Sequence, residues 1–190
     1  TLVVVAATGS STGSGSPSDP VGDLAAALAL VRADASRREI LVGPGTFLAT
    51  VALSDGATGG ESDSNLQLAG CGVDETTLEA ADSAESVVSA VDVVNLDISS
   101  LTLSGGTRTL SLSNTVATLQ DLRVQHGQRS NIVFQGSDTG IVAHDLEVLD
   151  PVLATWTDTG GTSHSTGYGI TIASVATHGV EVYGGSVSGA

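Results

Sequence analysis

The sequence contains no lysine and no methionine, one cysteine (Cys71), one tryptophan (Trp156), two tyrosines and two phenylalanines in 190 residues. Each shortage excludes something. A single cysteine rules out an intramolecular disulfide, and its setting, Ala-Gly-Cys-Gly, predicts a small buried residue. Aromatic residues make up 3% against 41% hydrophobic, so the core is aliphatic, drawn from Val, Leu, Ile and Ala. Positive charge is scarce too: six arginines oppose 21 acids, giving a formal net charge of -15. Such a surface repels phosphate backbones, so no nucleic-acid partner is expected. It also repels acidic polysaccharides unless Ca²⁺ or an arginine patch intervenes. No stretch approaches the roughly 20 apolar residues of a membrane-spanning helix, so the chain is not expected to be transmembrane. It begins at Thr1, which reads as a processed or trimmed product from which any signal peptide would already be gone. Secretion or a cell-surface location is the corresponding expectation.

What is present is a mixture of 24 glycines with small, β-branched and hydroxyl residues. It favours many short strands and turns over long helices. Residues 1–8 (TLVVVAAT) read as a first strand, and 9–20 as a Gly/Ser/Pro loop. The segment 23–38, DLAAALALVRADASRR, predicts the one helix, with Asp23 at its start and Arg37-Arg38 at its end, both signs matching the helix dipole. EILVGPGTF then reads as a short apolar strand closed by Gly-Pro-Gly, with a polar excursion at 54–65.

From residue 65 a loose repeat takes over. NLDISSLTLSGG (95–106), VATLQDLRVQHG (116–127), GIVAHDLEVLDP (140–151) and GVEVYGGSVSGA (179–190) align as strand, two-residue corner, strand and turn. The anchors Leu103, Val124, Val148 and Val187 stand 21, 24 and 39 residues apart. Third strands lie between them at 109–114, 130–136 and 168–174. Three short strands per period, with no helix inside it, select a β-solenoid. Alternation sets the register: Leu96/Ile98, Ala117/Leu119, Ile141/Ala143 and Val180/Val182 point inward in the first strand, and Leu110/Leu112, Ile132/Phe134 and Ile170/Ile172 in the third. Asp97, Thr118, Val142 and Glu181, and then Ser111, Val133 and Thr171, point outward. The long last interval leaves an excursion of roughly 17 residues beyond a coil of about 22. It falls at 150–167, carries Trp156 and His164, and is where function is expected to sit.

The order of these pieces resembles a known family. Residues 6–53, with the strand, the Gly-Ser-rich loop, the "L..AL..A" helix and "I.V.PGTF", resemble the start of pectate-lyase-like β-helix proteins of the bacterial or archaeal secreted or surface type. LQLAGCGVDETTLEA (66–80) resembles the coil that follows there. The resemblance implies an all-β fold: a right-handed parallel β-helix (β-solenoid) with a short N-terminal capping helix. One domain spans 1–190, with the cap and first coil over 1–64 and the repeated coils over 65–190. The final coil stops at Ala190, so a longer parent chain, a covering partner or self-association through the open C-terminal coil is expected.

Several side chains are candidates for chemistry. The repeat stacks Asp121 on Asp145 at one corner, and Arg123 on Glu147 two residues later. This co-stacked carboxylate and arginine face is the candidate catalytic set, since general acid–base chemistry needs such paired groups. Asp also suits corners through hydrogen bonds to nearby backbone, and Arg123 with Glu147 also reads as a surface ion pair. Trp156, His164 and His144 are the candidate ligand-binding residues; His126 and His178 are further histidines. None has the spacing of a metal site, and no cofactor is expected, Ca²⁺ being the one ion the acidic surface admits. The polygalacturonase-type ordered set N-x-D, D-D, G-H-G, R-x-K does not occur. Two functions follow: an extracellular or cell-surface structural, adhesive or assembly module with a polysaccharide or cell-surface partner, or a carbohydrate-active lyase, esterase or hydrolase working on the carboxylate and arginine face.

Overall fold

Valine, leucine and isoleucine at every second position make strands that bury one side only, and stacking such strands in parallel is how this chain covers them. A computed structural model describes residues 2–56, 62–137, 139–152, 154–157, 163–166, 168–173 and 179–189, with backbone alone at 154–157 and 163–166. The cap holds β1 (Leu2–Ser10) and α1 (Leu24–Ala33). The early coils hold β2 (Glu39–Val42), β3 (Gly45–Ala49), β4 (Val51–Ser54), β5 (Gln67–Ala69), β6 (Thr76–Ala80) and β7 (Val88–Val91). The repeat holds β8 (Leu96–Ser104), β9 (Arg108–Ser113), β10 (Val116–Gln125), β11 (Ser130–Gln135) and β12 (Gly140–Leu149). After it come β13 (Ala154–Thr157), β14 (Ser163–Thr166), β15 (Tyr168–Ala173), β16 (Gly179–Tyr183) and β17 (Ser186–Ser188).

Three faces result. The first runs β1-β2-β5-β8-β10-β12-β16; the second joins β3 to β6 and continues through the latter halves of β8, β10 and β12 to β17; the third runs β4-β7-β9-β11-β15. Every pairing within them is parallel, the signature of a β-helix. The expected register holds residue for residue. Leu96, Ala117, Ile141 and Val180 form one row, Leu103, Val124, Val148 and Val187 a second, and Leu110, Ile132 and Ile170 a third. Up to Val148 these rows are buried and belong to one aliphatic core. In the last coil Ile172, Val182 and Val187 are 56%, 48% and 58% exposed, because no further described coil lies over them.

The corners differ from expectation. β8, β10 and β12 do not break between faces: one residue in each, Ser100, Asp121 or Asp145, takes a left-handed φ of 54°, 50° or 52° and bends a continuous strand. Among the four aligned segments, only the last has the two corner residues expected, Gly184 and Gly185, both with positive φ.

Two further expectations are corrected. The helix is shorter than 23–38. Asp23 caps it, its carboxylate accepting from the Ala26 N–H at 2.7 Å, but it stops at Ala33. There Asp34 turns its carboxylate onto the Ser36 N–H and hydroxyl, offering the backbone a turn instead. Arg37 and Arg38 therefore lie beyond the helix and donate to the carbonyls of Ser14 and Ser62. Cys71 is exposed, not buried. It stands on the corner between β5 and β6, where its N–H donates to the hydroxyl of Thr76, the residue that takes the buried place. Val133 faces outward yet is 5% exposed, because it lies in a depression flanked by Arg108, Arg129 and Tyr168.

Candidate functional site

The repeat brings the four candidate catalytic residues onto one edge of the β-helix. The pairs Gln120↔His144 and Leu122↔Leu146 bracket Asp121 and Asp145, so the two aspartates are equivalent in successive coils. Both are exposed. Arg123 pairs in register with Glu147 on the second face. Its Nε donates to Glu147 Oε2 at 2.9 Å, and its Nη1 donates to Asp74 Oδ1 at 2.6 Å. These two bonds, the one to Asp74 foremost, hold the guanidinium above its already high ordinary pKa. Val73, Asp121, Asp145, Glu147, Gly185 and Ser186 line the shallow depression beside it, of about 360 Å³. The geometry gives Arg123 two carboxylate partners and gives Asp121 and Asp145 the conformation that bends the strand. Asp74 is the member of this cluster that the repeat does not reveal, because it lies before the aligned segments.

The ligand candidates separate. The excursion at 150–167 contains an antiparallel hairpin, β13 with β14, in which Trp156 stands opposite His164 in register. His144 lies on the first face and stacks on Tyr183, with ring centroids 5.1 Å apart and planes 16° from parallel. His126 Nδ1 is 3.1 Å from Ser104 Oγ. His178 lies outside the described residues. Among the described residues no three His, Cys, Asp or Glu side chains gather to hold a metal ion.

Both ends of the excursion are tied to one corner. The Val152 N–H donates to the Gly127 carbonyl at 2.9 Å, and the Tyr168 N–H donates to the Arg129 carbonyl at 3.3 Å. The hairpin therefore leaves and rejoins the β-helix beside a depression on the third face. Arg108, Arg129, Ser130, Val133, Gln135 and Tyr168 line this hollow of about 200 Å³, together with Thr171 and Ala173. Ser130 and Thr171 hydroxyls are 3.0 Å apart on its floor, and Tyr168 is 56% exposed at its edge. Two of the six arginines thus meet in one hollow of a strongly acidic protein. Neither is among the candidate residues that the repeat singles out, although their 21-residue separation matches the spacing of Leu103 and Val124.

No helix among the described residues is long and apolar enough to cross a membrane. No protein-family model matches the chain, and no curated protein sequence matches it. Among solved structures it is similar to pectin methylesterase PemA from Erwinia chrysanthemi, at 14% identity and a TM-score of 0.53. The likeness covers 76% of this chain and 54% of the other, so the chain spans about half the length of that protein. At that identity the likeness speaks for architecture: this chain is a right-handed parallel β-helix, the fold that its sequence elements resemble in pectate-lyase-like proteins.

Proposed function

We propose that the chain is the β-helix module of an extracellular or cell-surface protein, and that it adheres to an acidic polysaccharide through its third face. One observation carries this reading: the hollow where Arg108 and Arg129 meet beside Tyr168, at the root of the hairpin bearing Trp156 and His164. Carboxylates of a uronate-type sugar are recognised by arginine, and sugar rings pack on aromatic side chains. Elsewhere a net charge of -15 repels such a polymer, so the hollow supplies the local attraction that the bulk surface denies.

A carbohydrate-active enzyme is the second reading. It is favoured by the similar solved structure, itself named a pectin methylesterase, and by Asp121 and Asp145 on one edge. Affinity electrophoresis in gels containing polygalacturonate, alginate or a neutral glucan, with parallel assays for released methanol, unsaturated products and reducing ends, separates the two. The adhesive reading expects retardation by the acidic polymers alone, weakened by Arg108→Ala and by added salt, with no product. Product formation that disappears in Asp121→Asn/Asp145→Asn replaces it with the enzyme reading. Repeating the gels with Ca²⁺ and with a chelator tests whether calcium bridges the two acidic partners. Equal migration in all gels overturns the adhesive reading.

A further inference from the structure

The first face carries a groove that neither reading above uses. Its volume is about 440 Å³, and it runs across five successive strands, β5, β8, β10, β12 and β16, rather than along one. Asp97, Thr118, Val142 and Glu181 stand in one outward row across it, paired in register from β8 to β10, β12 and β16. Gln67 and Asn95 lie at the Asp97 end. In this row Thr118 and Val142 separate the carboxylates of Asp97 and Glu181, and the neutral Gln67, in register with Asp97, continues the row beyond it. Parallel strands are spaced about 4.8 Å apart, so three steps place the two carboxylates about 14 Å from each other. At one end the Tyr183 hydroxyl donates to Glu181 Oε2 at 2.6 Å and fixes that carboxylate over the groove. At the other, Asp97 has no cation partner among the described residues. Burial raises its pKa, against a hydrogen bond from Ser99 that lowers it. A strip with anionic ends and a mostly apolar middle is complementary to a chain with cationic ends and a methylene middle.

We propose that this groove binds a linear polyamine, with one ammonium at Asp97, another at Glu181, and the aliphatic segment lying over Thr118 and Val142. The overall charge concentrates such cations near the surface, and the rung spacing selects their length. The site lies on the first face, apart from the third-face hollow, so its test is independent of the polysaccharide reading.

The test holds ligand charge constant and varies length. Unbranched α,ω-diamines from diaminobutane to diaminododecane are titrated into the whole chain by calorimetry at fixed ionic strength, with spermine and a neutral oligosaccharide alongside. The expected result is an affinity optimum near the diamine that spans about 14 Å, about tenfold tighter than diaminobutane. Asp97→Asn or Glu181→Gln removes the optimum and weakens the best diamine about fivefold. Glu79→Gln makes the same change of charge on an exposed position of the second face and leaves the optimum in place. Affinity that does not depend on length, an optimum that survives both groove substitutions, an equal loss in Glu79→Gln, or binding of the oligosaccharide in place of the amines overturns the proposal.

Discussion

Asp63 is 1% exposed, and three donors converge on its carboxylate: Arg32 Nε at 3.0 Å, Arg32 Nη2 at 2.7 Å and the Ser54 N–H at 2.9 Å. Arg32 Nη2 also donates to the Ala52 carbonyl at 2.9 Å. This bidentate pair ties the helix to the first coil. Removing the arginine strands a buried carboxylate, whereas removing the carboxylate leaves an arginine that still reaches water. Arg32→Met is therefore expected to cost about 3–5 kcal/mol and Asp63→Asn less, read as shifts of the urea midpoint at constant slope. Asp97 makes a second prediction at this scale. Its carboxyl is raised above the ordinary range chiefly by burial, so the folded state holds its proton more tightly than the unfolded chain. The stability it contributes is full below the ordinary carboxylate pKa of about 3.9 and is lost as pH rises through the raised value. Asp97→Asn removes that loss, so its melting temperature should match the parent at low pH and exceed it at neutral pH. An equal difference at both values would show that burial of this carboxyl is not the cause.

At the scale of elements, the corner is where structure and chemistry compete for the same residue. Asp121 and Asp145 bend β10 and β12 with left-handed φ, a conformation that Asn and Asp adopt more readily than other side chains and β-branched residues resist. Asp121→Asn is expected to leave stability nearly unchanged, and Asp121→Val to cost about 1–2 kcal/mol, both measurable by denaturant unfolding. A large loss in the Asn variant would mean that the charge itself matters to the fold. The same competition explains what the sequence made legible. Strand register was readable because inward rows of Leu, Val and Ile repeat at every second residue, and one slipped residue exposes them all. The corner is not readable this way, because alternation cannot distinguish a strand that ends from one that bends. The helix ends before its predicted limit because Asp34 and Ser36 compete for its backbone, through local hydrogen bonds that composition does not show. The co-stacking of Asp121 on Asp145 and of Arg123 with Glu147 followed from the period. Asp74, Asp63 and the third-face hollow did not, since each depends on parts of the chain that meet only after winding.

For the whole molecule, charge is the property that the fold leaves least compensated. Twenty-one acids wind around one aliphatic core with six arginines among them, and Arg32, Arg37 and Arg123 are engaged with carboxylates of the cap and the second face. Repulsion among the remaining acids acts over a screening length of about 10 Å at 0.1 M salt and about 3 Å at 1 M. The rungs hold like charges within that range along each face, so raising salt relieves repulsion in the folded state more than in the expanded chain. In the Arg32–Asp63 pair the carboxylate is buried, so the pair loses little to screening, while the exposed partners of Arg123 contribute only about 0–1 kcal/mol to begin with. The balance favours a melting temperature that climbs with sodium chloride, by roughly 3 °C for each kcal/mol relieved in a chain of this length. Calorimetric scans across that range check it. A variant with Glu79→Gln and Asp82→Asn, two exposed carboxylates outside the groove and the hollow, should begin at a higher melting temperature in low salt and climb less steeply. A melting temperature that falls with salt would show instead that the ion pairs outweigh the repulsion they sit among.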